Sequence, residues 1–274
     1  MTSRTRRRHV LPIGVLLTIG AVLTAFPFLW MLTTSLEPES DAVAYPPHAV
    51  PSRITFDSYL TLFRDLDFGP YIVNTVIVVL IGFAGMLLVT MAGYAFAKFR
   101  FRGRDGLFML VLTSMMIPVQ VAMVPTYLVI NGIGLTDTLV GVALPSLVSA
   151  FNIFVIRQFM TTIPDEVLEA ARIDGANEFR IFFSMVLPMC RPILAVVAVL
   201  TFISGWNSFL WPLILANDQQ NYTLAVGLSL LNKQLTVDPP LQMAGASLMV
   251  VPIVIVFVVF QKHVVQGFAL SGLK

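Results

Sequence analysis

Phe68-Gly-Pro-Tyr-Ile-Val-Asn-Thr-Val-Ile-Val-Val-Leu-Ile-Gly-Phe-Ala-Gly-Met-Leu-Leu-Val-Thr-Met-Ala-Gly-Tyr-Ala-Phe-Ala97 contains no Asp, Glu, Lys or Arg. A helix needs about 20 apolar residues to cross a hydrocarbon layer roughly 30 Å thick, and this run is long enough. Barrel strands would be about 10 residues long and would alternate apolar with polar. Val76-Ile-Val-Val-Leu-Ile81 is apolar on every side instead, which suits a helix among lipid and other helices. Five further charge-free intervals have comparable length: 9–36, 106–136, 138–156, 192–217 and 239–261. The next longest, 219–232, is short and has the polar stretch Asp218-Gln-Gln-Asn-Tyr222 at its edge, so it reads as a loop.

Composition agrees. Hydrophobic residues make up 57% of the 274 and charged residues 12%, with a mean hydropathy of +0.85. A soluble domain carries about 25% charged residues, so this chain has too few to coat a water-exposed globule. The reading is an all-α integral membrane protein, a single transmembrane domain over 1–274. Its spans are expected at about 10–32, 71–96, 107–130, 139–157, 192–215 and 242–261. The first is expected to be retained, since its apolar stretch is too long for a cleaved leader.

Orientation follows from the cations. With six spans, Arg4, Arg6, Arg7, Arg8, Lys98, Arg100, Arg102, Arg104, Arg157, Arg172, Arg180, Arg191, Lys262 and Lys274 fall on one side. Only Arg53, Arg64 and Lys233 fall on the other, which places both termini in the cytoplasm.

Several chemistries are disfavoured. Apart from Arg157 at the very end of 139–157, no Asp, Glu, Lys or Arg lies in any proposed span, whereas ion-coupled carriers usually keep ionisable groups there. No lysine follows a glycine, so the chain has no phosphate loop of its own. His9, His48 and His263 are scattered and Cys190 is the lone cysteine, so no metal site and no catalytic set suggests itself. A net charge of +2 gives no sign of a nucleic-acid partner.

Between spans four and five, within 160–190, runs Thr162-Ile-Pro-Asp-Glu-Val-Leu-Glu-Ala-Ala-Arg-Ile-Asp-Gly-Ala-Asn-Glu-Phe-Arg-Ile-Phe-Phe-Ser-Met-Val-Leu-Pro188. Thr162 and Asp165 suggest a capping box, with Pro164 in the first turn. Val167, Leu168 and Ala171 form one apolar edge. Gly175 sits where a left-handed stop is cheap, and Asn177 suits the cap of a second short helix carrying Phe179, Phe182 and Phe183. From residues alone, an amphipathic linker on the membrane and a docking surface fit equally.

The segment resembles the signature loop of ABC-importer permeases. Glu169-Ala170-Ala171, three residues, Gly175, nine residues and Met185-Val-Leu-Pro188 match its spacing, with Met185 for the usual Ile. The likeness extends to Ala92–Gly103, Met116–Gln120, Glu169–Ala176, Trp206–Pro212 and Val265-Gln-Gly267, and within the family it is similar to the shorter, second permease of maltose-type carbohydrate importers. The tail Phe268–Lys274 departs from the family's usual ending.

The resemblance implies a bacterial inner-membrane heterodimer with a second permease, two ATPase subunits that bind ATP and magnesium, and an extracytoplasmic sugar-binding protein. This chain would bind no cofactor. Glu169, Ala170, Ala171, Asp174, Gly175, Leu187 and Pro188 would couple it to the ATPase. For a neutral sugar, Asn74, Gln120, Asn152, Trp206 and Asn207 are the polar, uncharged pathway candidates. The same groups also suit interhelical bonding or interfacial anchoring. Competing readings are a permease for glycerol-phosphate, trehalose or an amino sugar, and, from another class, an ATP-independent carrier or channel.

Overall fold

The computed structural model describes residues 3–42, 51–234 and 238–271, and side-chain surroundings for 13–41, 51–231 and 238–262. The side chains of Arg4, Arg6, Arg7, Arg8, His9, His48, Lys233 and His263, and those of the tail from Val265 to Lys274, lie outside these. All regular structure among the described residues is helical.

Four helices are long and apolar enough to span a membrane: Ile13–Thr34, Phe68–Lys98, Arg191–Leu215 and Pro239–Lys262. They match the first, second, fifth and sixth expected spans. The expected span at 107–130 is instead two helices, Arg104–Ser114 and Val119–Gly132, bent by 107°. Pro118 explains the break. It lacks a donor and drives the preceding residue away from helical ψ, and its own backbone is extended at ψ 135°. The N–H groups of Met115, Met116 and Ile117 therefore close tight bonds to Leu112, Thr113 and Ser114 at 3.0–3.3 Å. The expected span at 139–157 is also a pair, Leu139–Ser146 and Ala150–Met160, bent by 50°. Pro145 withholds a donor there, and the Ser149 hydroxyl caps the restart by accepting from Asn152 N–H at 3.3 Å. If each bent pair counts as one crossing, the total is six.

The chain divides into two compact units, Met1–Phe68 with Leu228–Val250, and Gly69–Gly227 with Val251–Lys274. In the smaller, Tyr59 Oη joins the hydroxyls of Ser35 at 2.9 Å and Ser247 at 2.7 Å. Leu62 is fully buried there, and Thr55 N–H donates to Leu36 at 2.9 Å.

The larger unit has two apolar cores on the helix Phe68–Lys98. One gathers Val78, Ile130, Val142, Trp211 and Leu215. Asp137 clips that end, its Oδ1 accepting from the backbone of Asn217 and Asp218 at 2.9 Å each. The Asp218 N–H, with the amide of Asn221, holds this carboxyl below its ordinary range. The other core joins Val89, Tyr94, Ile156, Met160, Leu168, Ile181, Phe182, Val186 and Val197. Close helix approach is made by small residues, as is common in membranes. A Cβ on Gly85 would stand 2.2 Å from the Leu147 carbonyl, and one on Gly93 would stand 2.6 Å from Ile156 Cγ2.

Candidate functional site: the loop between Met160 and Arg191

The loop grows out of the second core. Its first helix is Asp165–Ile173, with Pro164 at the N-cap position and no side-chain cap. The expected capping box is absent, because the Thr162 hydroxyl turns back to the Phe159 carbonyl at 2.7 Å. Lys98 anchors this end instead, donating to Asp165 Oδ1 and the Ile163 carbonyl, each at 2.5 Å. Its side chain is 5% exposed, so the anchor ties the end of Phe68–Lys98 directly to the loop.

Leu168 and Ala171 face the core and are buried, while Glu166, Glu169, Ala170, Asp174 and Ile173 face out. The Glu-Ala-Ala triplet is thus divided: Ala171 seats the helix on this chain, and Glu169 and Ala170 are exposed. Ile173, 86% exposed, lies four residues after Glu169 and so on the same outer face. It was not singled out in the sequence, where a lone isoleucine in an amphipathic helix reads as core.

The helix stops at Gly175, φ +82°. Ala176 N–H returns to Ala171 at 3.0 Å and Gly175 N–H to Arg172 at 3.0 Å, the paired bonds of a Schellman stop. Asn177 then caps the second helix, its Oδ1 accepting from Arg180 N–H at 2.8 Å. Arg172 bridges the bend to Glu178 at 2.7 Å, and Tyr94 Oη donates to the same carboxylate at 3.1 Å. The second helix runs through a widened, five-residue π turn at Phe182–Val186, which buries Phe182 against Tyr94 and leaves Phe179 and Phe183 exposed. Leu187 is half-buried and Pro188 exposed at its end. Between the two helices lies an open groove lined by Glu166, Val167, Ala170, Asp174, Arg180 and Met185. Burial pushes the Cys190 thiol up to about 12, so it is inert at neutral pH.

The Lys98 hydrogen bond and charge hold Asp165 below its ordinary range, and the Arg172 hydrogen bond does the same for Glu178. Carboxylates depressed in the folded loop contribute stability above their free values of about 4 and lose it as pH falls through the folded ones. Protection of the amides in 165–178, taken relative to the intrinsic exchange rate at each pH, is therefore expected to be high near neutrality and to fall once the pH drops below about 4. Protection unchanged by that drop would contradict the two anchors.

Of the pathway candidates, one lines a cavity and four do not. A cavity of about 220 Å³ in the larger unit is lined by Asn152 but not by Asn74, Gln120, Trp206 or Asn207. Asn74 is buried and gives its amide hydrogens to the carbonyls of Gln220 and Tyr222 at 2.7 and 2.9 Å. Trp206 is buried and stacks on Phe202, and Gln120 and Asn207 are exposed. Ser146, Ser149, Thr201, Ser204 and Ser208 complete the polar lining. The sequence reading missed these hydroxyls. The available signal was the 201, 204, 208 spacing, one face of a helix interrupted only near its end.

Residues 89–269, which include the whole loop, match the family described as "Binding-protein-dependent transport system inner membrane component". The chain is 33% identical over 270 residues to the arabinooligosaccharides transport system permease protein AraQ of Halalkalibacterium halodurans, covering 94% of this chain and 96% of that one. It is 33% identical over 263 residues to the diacetylchitobiose uptake system permease protein NgcG of Streptomyces coelicolor, covering 94% and 87%. It is 32% identical over 263 residues to the sn-glycerol-3-phosphate transport system permease protein UgpE of Agrobacterium fabrum, covering 92% and 93%. Among solved structures it resembles a bacterial ABC transporter involved in the import of the acidic polysaccharide alginate. That likeness has 27% identity and a TM-score of 0.85, over 96% of this chain and 99% of that one. With the loop geometry and the apolar helices, these matches establish that the chain belongs to the binding-protein-dependent transport system inner membrane components, the permease subunits of ABC transporters, and is a transport subunit rather than an enzyme.

Proposed function

We propose that this chain is the second permease of an ATP-driven importer that moves a neutral carbohydrate delivered by an external binding protein. It crosses the inner membrane six times as one transmembrane domain, with both termini and the 160–190 loop in the cytoplasm. A second permease completes the pathway, and two separate ATPase subunits bind ATP and magnesium. The observation that carries this reading is the loop helix, anchored to the long helix Phe68–Lys98 by Lys98 and presenting Glu169, Ala170 and Ile173 outward. A rigid, core-seated helix with a free outer face acts as a lever. A closing ATPase that grips it would rock the attached spans.

Neutral cargo is favoured by the cavity, whose lining holds hydroxyls and one amide and no charged side chain. The relatives' names cover arabinooligosaccharides, diacetylchitobiose and sn-glycerol-3-phosphate. A phosphate would be best met by a cation, so a phosphorylated cargo is the second reading. Ser204→Leu, which fills the hollow and removes a hydroxyl, is expected to lower uptake roughly tenfold, about one hydrogen bond's worth, without altering subunit assembly. Uptake at the normal rate would remove the cavity from the pathway.

Mild-detergent purification of the chain expressed with its native neighbours tests the assembly. Recovery of a second permease and twice as much ATPase supports the proposal. Recovery of the chain alone, still moving solute in liposomes, favours an autonomous carrier.

A further inference from the structure

The segment that follows the long helix Phe68–Lys98 has unused charge. Within 98–105 stand Lys98, Arg100, Arg102 and Arg104. Lys98 is held by Asp165, and Arg104 by Asp105 at 2.9 Å and the Phe99 carbonyl. Four cations less these two carboxylates leave two charges. They belong to Arg100 and Arg102, both exposed and in no hydrogen bond or ion pair. Arg100 lies near enough to Asp165 to influence its carboxyl, but that carboxylate is already bonded to Lys98.

The two free guanidinium groups flank Phe101, which is 42% exposed and packs on Phe96 at 6.2 Å. Gly103, at φ +84°, turns the chain so that Arg100–Gly106 line an open recess. Directly beyond, Leu107, Met109 and Leu110 are exposed by 49%, 61% and 66% on the helix Arg104–Ser114. A further cation adjoins: Arg157 lies 4.1 Å over the Phe108 ring, and its buried Nε has no partner. Unspent arginines thus stand where an apolar surface meets water, with an aromatic ring between them.

We infer that the recess formed by Arg100–Gly106 binds the head group of an anionic phospholipid. Guanidinium forks match phosphate oxygens, the apolar surface suits acyl chains, and basic clusters beside membrane helices attract acidic lipid. A protein partner fits less well. The neighbouring loop helix exposes Glu166, Glu169 and Asp174, so a subunit surface complementary to it is basic and repels Arg100 and Arg102. This inference depends on membrane insertion and not on the identity of the cargo.

The test uses the full-length chain, stripped of lipid in mild detergent and titrated with phosphatidylglycerol or phosphatidylcholine of matched acyl chains. Native mass spectrometry reads binding. Wild type is expected to prefer phosphatidylglycerol, and Arg100→Gln/Arg102→Gln to bind it about 30-fold more weakly, from ~1 kcal/mol for each arginine. Equal binding of the two lipids by wild type would overturn the site, as would an undiminished preference in the double variant. Displacement of bound phosphatidylglycerol by millimolar inorganic phosphate would overturn the lipid assignment in favour of a free-anion site. If the double glutamine variant fails to fold, Arg100→Lys/Arg102→Lys decides: the preference should persist in weakened form, and its complete survival or reversal contradicts a guanidinium clamp.

Discussion

Glu169→Ala is expected to leave the chain folded, inserted and assembled, and still to reduce carbohydrate uptake about tenfold or more. The side chain is exposed, so its loss costs this chain no packing. The loop keeps its anchors at Lys98–Asp165 and Arg172–Glu178. What disappears is a carboxylate on the outer face, where a charged contact fixes register more than it adds affinity. A misregistered lever moves with poor yield while the subunits still co-purify. The measurement is uptake of labelled oligosaccharide beside ATPase recovery, each at native expression. Normal uptake would remove Glu169 from the coupling role. Loss of ATPase recovery in proportion to uptake would make it an assembly residue instead.

Gly175→Val should be more damaging. A branched side chain at φ +82° costs roughly 1–2 kcal/mol. Escape from that conformation breaks the returns from Gly175 and Ala176 to Arg172 and Ala171, at about 1 kcal/mol each. The bend then no longer delivers Asn177 to its cap or Glu178 to Arg172. The strain alone, ~1–2 kcal/mol, makes correctly bent loops about 5- to 30-fold rarer, and both uptake and ATPase recovery should fall. No Cβ clash adds to this, since nothing lies within 4 Å of that position. Gly175→Asn is therefore expected to retain much of the activity, because Asn tolerates the left-handed region. Equal loss in the Val and Asn variants would show that the backbone conformation is not what matters.

The features read correctly from sequence are those set by local chemistry. The second, fifth and sixth spans follow from uninterrupted hydrophobicity. The stop at Gly175 and the cap at Asn177 follow from residues whose backbone preferences are strong. Hydropathy across 106–136 concealed a bend of 107°, since an apolar window does not register that Pro118 removes a donor and redirects Ile117. The anchor of the loop helix was invisible for another reason. Lys98 and Asp165 are 67 residues apart, and only the folded core brings them together. Neighbouring Ala170 and Ala171 received one role from the motif. Helical geometry separates adjacent residues by about 100°, enough to leave Ala170 exposed and Ala171 buried. The cavity hydroxyls were overlooked because single serines in apolar helices commonly bond their own backbone, as Thr75 and Thr90 do here at 2.7 Å.

A photo-crosslinking amino acid in place of Ile173, in the chain expressed with its native neighbours, would show whether the loop helix docks on an ATPase. That side chain is 86% exposed on the outer face of the loop helix, so the probe reports what the helix touches without disturbing its seat. A crosslink to an ATPase subunit is expected, strengthened or weakened as ATP is added. Crosslinks to lipid alone, in cells that import at the normal rate, would show that the loop is a membrane-lying linker and that coupling lies elsewhere.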